Sequence, residues 1–427
     1  MSARGFVVVT LGVLTGCSGS SASTTNSATE PPADAANADG GGGPTPEAAS
    51  PETSTPWTGP AKHPPMPQVV DYGGKVLSSP TIQPVVFAGD AMQNDIATFL
   101  SDLAKSTYWT AVSHEYGVGA IRALPVAVAN EVAATSLTDA QVQAWISAKI
   151  TSGLLPAPDG NTIYAVFYPS GTTVTSPLGT SCTNFYGYHD QSTSASGAAY
   201  VYAVLPRCHD SLHTDLANVT NTTSHELLEG STNPWFTTSP AYASVDPDHA
   251  VWAIATGGQT ELADMCALMP GAGYFPSSDV PYPVQRMWSN AAAAASHDPC
   301  VPAPTGPYFN AAPVLPDMVT IDLGSMGSLT TQGVRIPVGQ SRTIEVDLYS
   351  DAPTTGAWNV EALDLATLAN KPAALDLKLD AATGKNGDVL HLTIKPLQSE
   401  PNGLEAFYVG SGLQGRSSLW VGLVSNQ

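Results

Sequence analysis

The sequence predicts an α+β protein, in which an α/β middle region (residues 66–302) is followed by a C-terminal all-β sandwich (residues 308–427). Two observations carry this prediction. In the middle region, short runs of β-forming residues alternate with longer runs that show helical spacing of apolar residues. In the C-terminal region, strand patterns recur at a spacing of about ten residues between turn signals.

The chain opens with an apolar run that is typical of a signal peptide. Arg4 precedes an apolar stretch over residues 6–14, and Leu14-Thr15-Gly16-Cys17 follows it. The stretch is far shorter than the roughly 20 residues of a membrane-spanning helix. Its end resembles the lipobox of bacterial lipoproteins, whose cysteine is acylated. We expect residues 1–17 to direct export and Cys17 to be a lipid anchor to the membrane, at the outer membrane or cell surface; a chance cysteine after an ordinary signal peptide is the alternative.

Residues 18–65 have the composition of a tether. They are mainly Ser, Thr, Ala, Pro, Gly and acidic residues, with almost nothing to bury. Because such a segment cannot offset the entropy lost on ordering, we expect it to be disordered.

The charge balance excludes one class of partner. The chain has 15 Lys and Arg residues against 36 Asp and Glu residues, a formal net charge of −21. Binding to nucleic acid requires a basic surface, so we expect no nucleic acid as partner.

Four further cysteines indicate disulfides: Cys182, Cys208, Cys266 and Cys300. An even count in an exported chain favours bridges over metal thiolates, and the sequence contains no CxxC pair. Sequential pairing is the simplest arrangement. Three connectivities are open to four cysteines.

The elements of the middle region follow from local patterns. Residues 80–89 and 163–168 read as strands, as do residues 199–205. Apolar residues at helical spacing predict a helix over residues 94–104. A capping box that starts at Thr138 predicts a second helix, which ends near Gly153.

The C-terminal region begins after a proline-rich stretch over residues 301–307. Its strands contain no cysteine, and His391 is its one histidine. We find no candidate catalytic cluster there, and we expect roles in spacing, adhesion or ligand binding.

A third predicted helix carries a His-Glu motif. Leu212, Leu216, Val219 and Leu227 form one helical stripe, and we expect the helix to end at Gly230, before Asn233-Pro234.

On this helix His225 and Glu229 lie one turn apart and point the same way. In the HExxH motif of zinc hydrolases, two histidines hold the ion and the intervening Glu activates its bound water. Here the motif is HExxE, and a carboxylate can replace an imidazole as a Zn²⁺ ligand. We therefore predict a zincin-like domain with His225 and Glu229 as metal ligands and Glu226 as catalytic general base. Asp264 is the first choice for a third ligand and Glu261 the second.

His189 is a further catalytic candidate, as a ligand or as a donor that stabilises an oxyanion. A structural histidine stacked on aromatic residues is the alternative. A calcium site built from Asp246, Asp248, Glu261 and Asp264 is an alternative for the acidic segment, although it lacks the ligand spacing of an EF-hand.

An ordered series of matches resembles the EXORDIUM / phosphate-induced protein 1 family over residues 72–301. The matches include YGGKVLSSPTIQPVVFAG, GYH after Cys182, GAAYVYAV before Cys208, TNP at 232–234, the Cys266 segment, and MWSN before Cys300. The resemblance implies an extracellular α/β domain with disulfides. Bacterial members are similar to this chain in the His-Glu helix followed by Glu, and in the acidic segment before the cysteine. Plant members lack the His-Glu pair, so catalysis is not what unites the family. The resemblance implies no established reaction.

Two functional hypotheses follow. The first is a surface lipoprotein that binds Zn²⁺ and acts as a metallopeptidase-like hydrolase on an extracellular peptide. The second is a non-catalytic envelope protein that binds a cell-wall or matrix ligand.

Overall fold

The computed structural model describes residues 57–322, 327–398 and 403–426. The predicted signal peptide, Cys17 and most of the predicted tether lie outside these residues. The described part is a mixed α+β structure that is rich in strands. None of its helices combines the length and the apolar character that crossing a membrane requires.

The helices of the described residues are α1 (Gln93–Leu103), α2 (Thr107–Ser113), α3 (Asp139–Thr151), α4 (Asp215–Thr232), α5 (Val251–Ala255), α6 (Leu262–Ala267), α7 (Asn290–Ala294) and α8 (Leu365–Leu368). The strands of the middle region are β1 (Val69–Asp71), β2 (Thr81–Phe87), β3 (Arg122–Ala123), β4 (Ala127–Ala129), β5 (Ser136–Thr138), β6 (Thr162–Tyr168), β7 (Thr173–Ser176), β8 (Gly179–Thr180), β9 (Tyr188–Thr193), β10 (Ala199–Pro206), β11 (Tyr242–Val245), β12 (Phe275–Pro276), β13 (Pro283–Val284), β14 (Met287–Trp288) and β15 (Cys300–Val301). Those of the C-terminal region are β16 (Phe309–Pro313), β17 (Asp317–Asp322), β18 (Ser328–Arg335), β19 (Arg342–Ser350), β20 (Trp358–Asp364), β21 (Leu375–Leu379), β22 (Thr383–Gly384), β23 (Val389–Pro396), β24 (Leu404–Leu413) and β25 (Arg416–Ser425).

A mixed sheet forms the centre of the middle region. Its strand order is β3-β2-β6-β10-β9, and β4 also pairs with β2. Strands β2, β6 and β10 run parallel, whereas the edge strand β9 runs antiparallel to β10, with His189 opposite Ala203. The parallel strands are almost wholly buried, as expected for strands covered on both faces.

Helices α4 and α3 cover the two faces of this sheet. Leu227 and Leu228 of α4 share one apolar cluster with Ile163 and Val201. On the opposite face, Ile146 of α3 belongs to a second cluster, which includes the tyrosines of β6 and β10. The predicted strands and helices of this region are therefore present, and the capping box at the start of α3 is formed.

Helix α4 differs from the prediction at both ends. Leu212 precedes the helix and is 68% exposed, because the helix begins after Thr214, whose side chain accepts from the Ala217 N–H. Gly230 lies inside the helix and does not end it. A Cβ at Gly230 would lie 3.5 to 3.6 Å from side-chain atoms of Ile163, Val201 and His189, which is ordinary van der Waals contact, so this glycine lies in the interface between α4 and the sheet.

Both disulfides are present with sequential pairing, Cys182–Cys208 and Cys266–Cys300, which confirms the simplest of the three connectivities. The second bridge ties α6 to β15. Two bridges fit an extracellular location.

The β-sheets predicted for the C-terminal region are confirmed. One sheet has the order β16-β19-β23-β21 and the other β17-β18-β25-β24-β20-β22. Residues of both sheets share one apolar core, which includes Val346 and Leu392 from the first and Val360 and Phe407 from the second. Two sheets with a common core form the predicted sandwich.

The C-terminal region also contacts the middle region and residues 57–65. The ring of Trp420 lies 6.5 Å from that of Trp252 in the middle region. The last part of the predicted tether, residues 57–65, also contacts this region. His63 stacks on Tyr349 at 3.6 Å, and the Ala61 N–H donates to the Asn386 side chain.

Candidate metal centre

Six of the predicted site residues meet beside the C-terminal half of α4: His189, His225, Glu226, Glu229, Glu261 and Asp264. Helix α4 supplies three of them, β9 supplies His189, and the start of α6 supplies the remaining two. Their side chains are between 3% and 16% exposed. The structure therefore brings together residues that are up to 75 positions apart in the sequence.

His225, Glu229 and Asp264 form one group of potential metal ligands. The His225 Nε2 atom lies 3.0 Å from Glu229 Oε2 and 3.4 Å from Asp264 Oδ1. One potential ligand atom from each residue falls within 4.8 Å of the others. These are the three residues that the HExxE motif and the acidic segment predicted as metal ligands.

Gln285 fixes the orientation of the His225 ring. The Gln285 amide N–H donates to the Ala263 carbonyl at 2.6 Å, so its Oε1 faces His225 Nδ1 at 3.1 Å. Nδ1 must then carry the proton that it donates to Gln285. In the neutral imidazole this leaves the Nε2 lone pair directed at Glu229 and Asp264, the tautomer that a metal ligand needs.

We expect the Gln285→Ala variant to bind zinc about 10 to 100 times more weakly, as is usual when a partner of a ligating histidine is removed. Competition with a chromophoric chelator measures the affinity, and circular dichroism checks the fold. An unchanged affinity in a folded variant would show that Gln285 does not orient a ligand.

Glu229 is held by the start of α6. Its Oε1 accepts from the backbone N–H groups of Ala263 and Asp264, at 2.9 and 3.1 Å. These bonds leave Oε2 pointing at His225. Oε1 of the Glu229 carboxylate is therefore held by the backbone, and Oε2 is available to a metal ion.

Asn233 and the capping box of α6 position the side chains of Glu261 and Asp264. The Asn233 side chain donates to Glu261 Oε1 at 2.5 Å and accepts from the Ala241 N–H. Asp264 Oδ2 accepts from the Glu261 N–H at 3.2 Å. Because Cys266 lies in the same short helix, its bridge also restrains this segment.

His189 and Glu226 are among the more buried side chains of the centre, at 5% and 6% exposure. His189 Nδ1 is 3.3 Å from Glu226 Oε2 and 3.9 Å from Glu229 Oε2. The Phe236 ring meets His189 edge-on at 6.2 Å, so the aromatic contact of the structural alternative is also present. The Glu226 side chain is 6% exposed and faces His189, so its general-base role stays a prediction.

The spacing of these groups matches that of metal ligands. Two ligand atoms that are each about 2.1 Å from a tetrahedral ion lie about 3.4 Å apart. The pairs around His225 are separated by 3.0 and 3.4 Å, and the His189–Glu226 pair by 3.3 Å. An ion between such atoms requires little movement of the side chains.

The centre also lacks permanent positive charge. Within the described ranges, no Lys or Arg forms an ion pair with any of its four carboxylates. Buried carboxylates without counter-charge are costly, so they attract protons or metal ions.

The pKa shifts of the histidines and carboxylates in the centre reflect its excess of negative charge. Burial lowers the pKa of His225, but Glu229 and Glu226 raise it, with a net pKa well above the ordinary value. Burial also lowers the pKa of His189, whereas the carboxylates, Glu261 first, raise it to about 10. Burial raises the pKa of Glu261 to about 8, and burial with the Glu229 charge raises the pKa of Asp264. Without a metal, the centre holds protons at neutral pH.

The calcium alternative has less geometric support. Both oxygens of Asp246 lie within 3.0 Å of His249 Nδ1, and one of them accepts from the Gln68 N–H. Among the residues that the structure describes, Asp246 and Asp248 join neither group of close potential ligands.

Comparisons with known proteins do not assign a family. No protein-family model and no curated protein matches the chain, so the EXORDIUM resemblance stays a prediction. Domains 4 and 5 of the S-layer protein SbsC are similar at 18% identity and a TM-score of 0.17, over 26% of this chain and 46% of that one. The chain thus spans about half the length of that structure. SbsC domains 1–6 are similar at 17% identity and a TM-score of 0.17, over 26% of this chain and 13% of that one. The titin M3 domain is similar at 13% identity and a TM-score of 0.16, over 22% of this chain and 85% of that one. These scores are too low to indicate a function.

Proposed function

We propose that the middle region binds Zn²⁺ through His225, Glu229 and Asp264, and that the protein is an exported, zinc-dependent hydrolase of peptide bonds. The observation that carries the proposal is the convergence of one imidazole nitrogen and two carboxylate oxygens at the spacing of metal ligands. Nitrogen and oxygen donors in a set of three are typical of catalytic zinc sites, which keep a further position open.

The partial exposure of three side chains supports access of solvent to the centre. The side chains of His225, Asp264 and Glu261 are 14% to 16% exposed, whereas that of Glu229 is 3% exposed. A bound zinc ion polarises a carbonyl group and acidifies water, which is the chemistry of peptide hydrolysis.

An edge strand beside the centre supports peptide as the substrate class. Strand β9, which carries His189, pairs with β10 on one side, and no other described strand pairs with it. An unpaired strand edge can take up an extended peptide through main-chain hydrogen bonds. The lipobox-like sequence at Cys17 and the two disulfides support a place at the cell surface for this activity.

A non-catalytic protein that binds a wall or matrix ligand is the second candidate. The observation that favours it is the burial of Glu226, because a general base has to reach the water that it activates. Under this alternative the same centre holds a structural ion or protons.

Metal analysis of the purified protein tests the proposed function. We expect stoichiometric zinc in the wild type and a loss of zinc in the His225→Ala variant. The His114→Ala variant is the matched control, because His114-Glu115 is a second His-Glu pair whose Glu caps α7 instead of facing an acidic group. Absence of zinc from the wild type would overturn the proposal. If the protein binds zinc but shows no chelator-sensitive hydrolysis of peptides, that result would favour the second candidate.

Zinc affinity is expected to fall as the pH is lowered from 8 to 6. The raised pKa values of His225, His189 and Glu261 mean that the metal-free centre holds protons, and the ion has to displace those on its ligands. Each proton released weakens binding about tenfold per pH unit of acidification. Calorimetric titrations in buffers of different ionisation enthalpy measure this release. Equal affinity at both pH values would contradict the expectation.

A further inference from the structure

His189 lies outside the proposed zinc site but belongs to the same buried centre. Its side chain is 5% exposed, and its Nε2 atom is buried without a hydrogen-bond partner. Glu261 Oε1 lies 3.7 Å from Nε2, beyond the length of a good hydrogen bond. A buried ring nitrogen without a partner is costly, so the groups around His189 do not fully satisfy its imidazole in the metal-free protein.

A second group of potential ligands surrounds this histidine. His189, Glu226 and Glu229 each offer one atom within 4.8 Å of the others. Glu229 is common to this group and to the His225 group, and its Oε2 lies between the two histidines, 3.0 Å from His225 Nε2 and 3.9 Å from His189 Nδ1. A carboxylate in that position can bridge two ions.

The charge of the centre also favours two ions. Glu226, Glu229, Glu261 and Asp264 carry four negative charges when ionised, and no Lys or Arg pairs with them in the described part of the chain. One divalent ion with two neutral histidines would leave two negative charges uncompensated in a buried place. Two divalent ions would neutralise all four, which removes the cost of burying them.

Gly187 makes room for this second group. A Cβ there would lie 2.5 Å from Thr222 Cγ2 and 3.1 Å from Glu226 Oε1. Any side chain at position 187 would thus press on Glu226, and the glycine lets the carboxylate lie against His189.

We propose that the centre binds two divalent metal ions, with the second ion held by His189 Nδ1, Glu226 and Glu229, and with Glu229 bridging the pair. His189 Nε2 then carries the proton, and Glu261 Oε1, which is 3.7 Å away, has to move closer to accept it as the carboxylate partner of a ligating histidine. Glu226 serves as a ligand in this arrangement instead of a general base. The inference rests on the proposed zinc site and adds a second ion at the distance, about 3.5 to 4 Å, that is usual in two-metal hydrolases.

Zinc stoichiometry separates this inference from the proposed function. Dialysis of the full mature chain against buffered zinc, followed by elemental analysis, is expected to give two ions per chain. The His189→Ala and Glu226→Gln variants are expected to retain one ion, and the His114→Ala control two. One ion in the wild type would overturn the second site and leave the proposed function standing, whereas no ion would overturn both. Two ions in both His189→Ala and Glu226→Gln would overturn the assigned position.

A spectroscopic measurement on the wild type does not depend on the folding of any variant. Two Co²⁺ ions that share the Glu229 bridge are expected to show magnetic coupling in their electron paramagnetic resonance spectrum. Uncoupled Co²⁺ at full loading would overturn the inference.

Discussion

The Glu229→Gln variant is expected to lose zinc binding by more than about 100-fold, beyond the range for indirect partners of a metal ligand, while its fold remains intact. The amide oxygen of Gln can still accept from the N–H groups of Ala263 and Asp264, as Glu229 Oε1 does. Its NH₂ group would face His225 Nε2, which accepts in the tautomer set by Gln285. The substitution therefore satisfies the local hydrogen bonds but removes the charged ligand.

Two comparisons make the Glu229 experiment specific. The Glu229→Ala variant loses the ligand and also leaves two buried N–H groups without an acceptor, each at a cost of about 1 to 3 kcal/mol. We expect it to be less stable than Glu229→Gln and equally unable to bind zinc. Affinity is measured by chelator competition and stability by urea unfolding. If Glu229→Gln bound zinc about as tightly as the wild type, that result would contradict the assignment of Glu229 as a ligand.

Zinc is expected to stabilise the folded protein strongly. An ion that binds the folded state and not the unfolded state, at a free concentration 100 times its Kd, adds about 2.7 kcal/mol to the free energy of unfolding. For a region of this size that corresponds to a rise in Tm of about 5–10 °C. The physical reason is the removal of uncompensated negative charge around Glu229 and Asp264, which the metal-free protein can neutralise only by taking up protons.

Differential scanning calorimetry with and without chelator measures this stabilisation. The Glu229→Gln variant is the control, because it keeps the fold and lacks the ligand. We expect zinc to leave its Tm unchanged. A wild-type Tm that is the same with zinc and with chelator would contradict the account of the centre.

Local patterns in the sequence predicted much of the fold. The apolar runs at residues 163–168 and 199–205 became the parallel strands β6 and β10, because a strand that is buried on both faces has to be continuously apolar. The capping box at Thr138 gave the start of α3 correctly, since its hydrogen bonds are local. The four ligand candidates on α4 and α6 were found because helical spacing and neighbouring carboxylates are visible in a sequence.

Contacts between distant residues were not visible. Gln285, which orients His225, is 60 positions away in the sequence and lies in no recognisable motif. The sequence predicts Asn233 only as part of the helix end, because its hydrogen bond to Glu261 depends on the packing of α6 beside α4. Gly230 predicts the end of the helix because glycine usually ends helices, but in the structure it lies inside α4, packed against the sheet.

The most direct test of the metal centre is a crystal structure of the zinc-soaked protein with anomalous data collected at the zinc absorption edge. We expect an anomalous peak about 2.0 to 2.2 Å from His225 Nε2, Glu229 Oε2 and Asp264 Oδ1. Absence of a peak at these three atoms, in crystals that hold zinc elsewhere or not at all, would contradict this expectation.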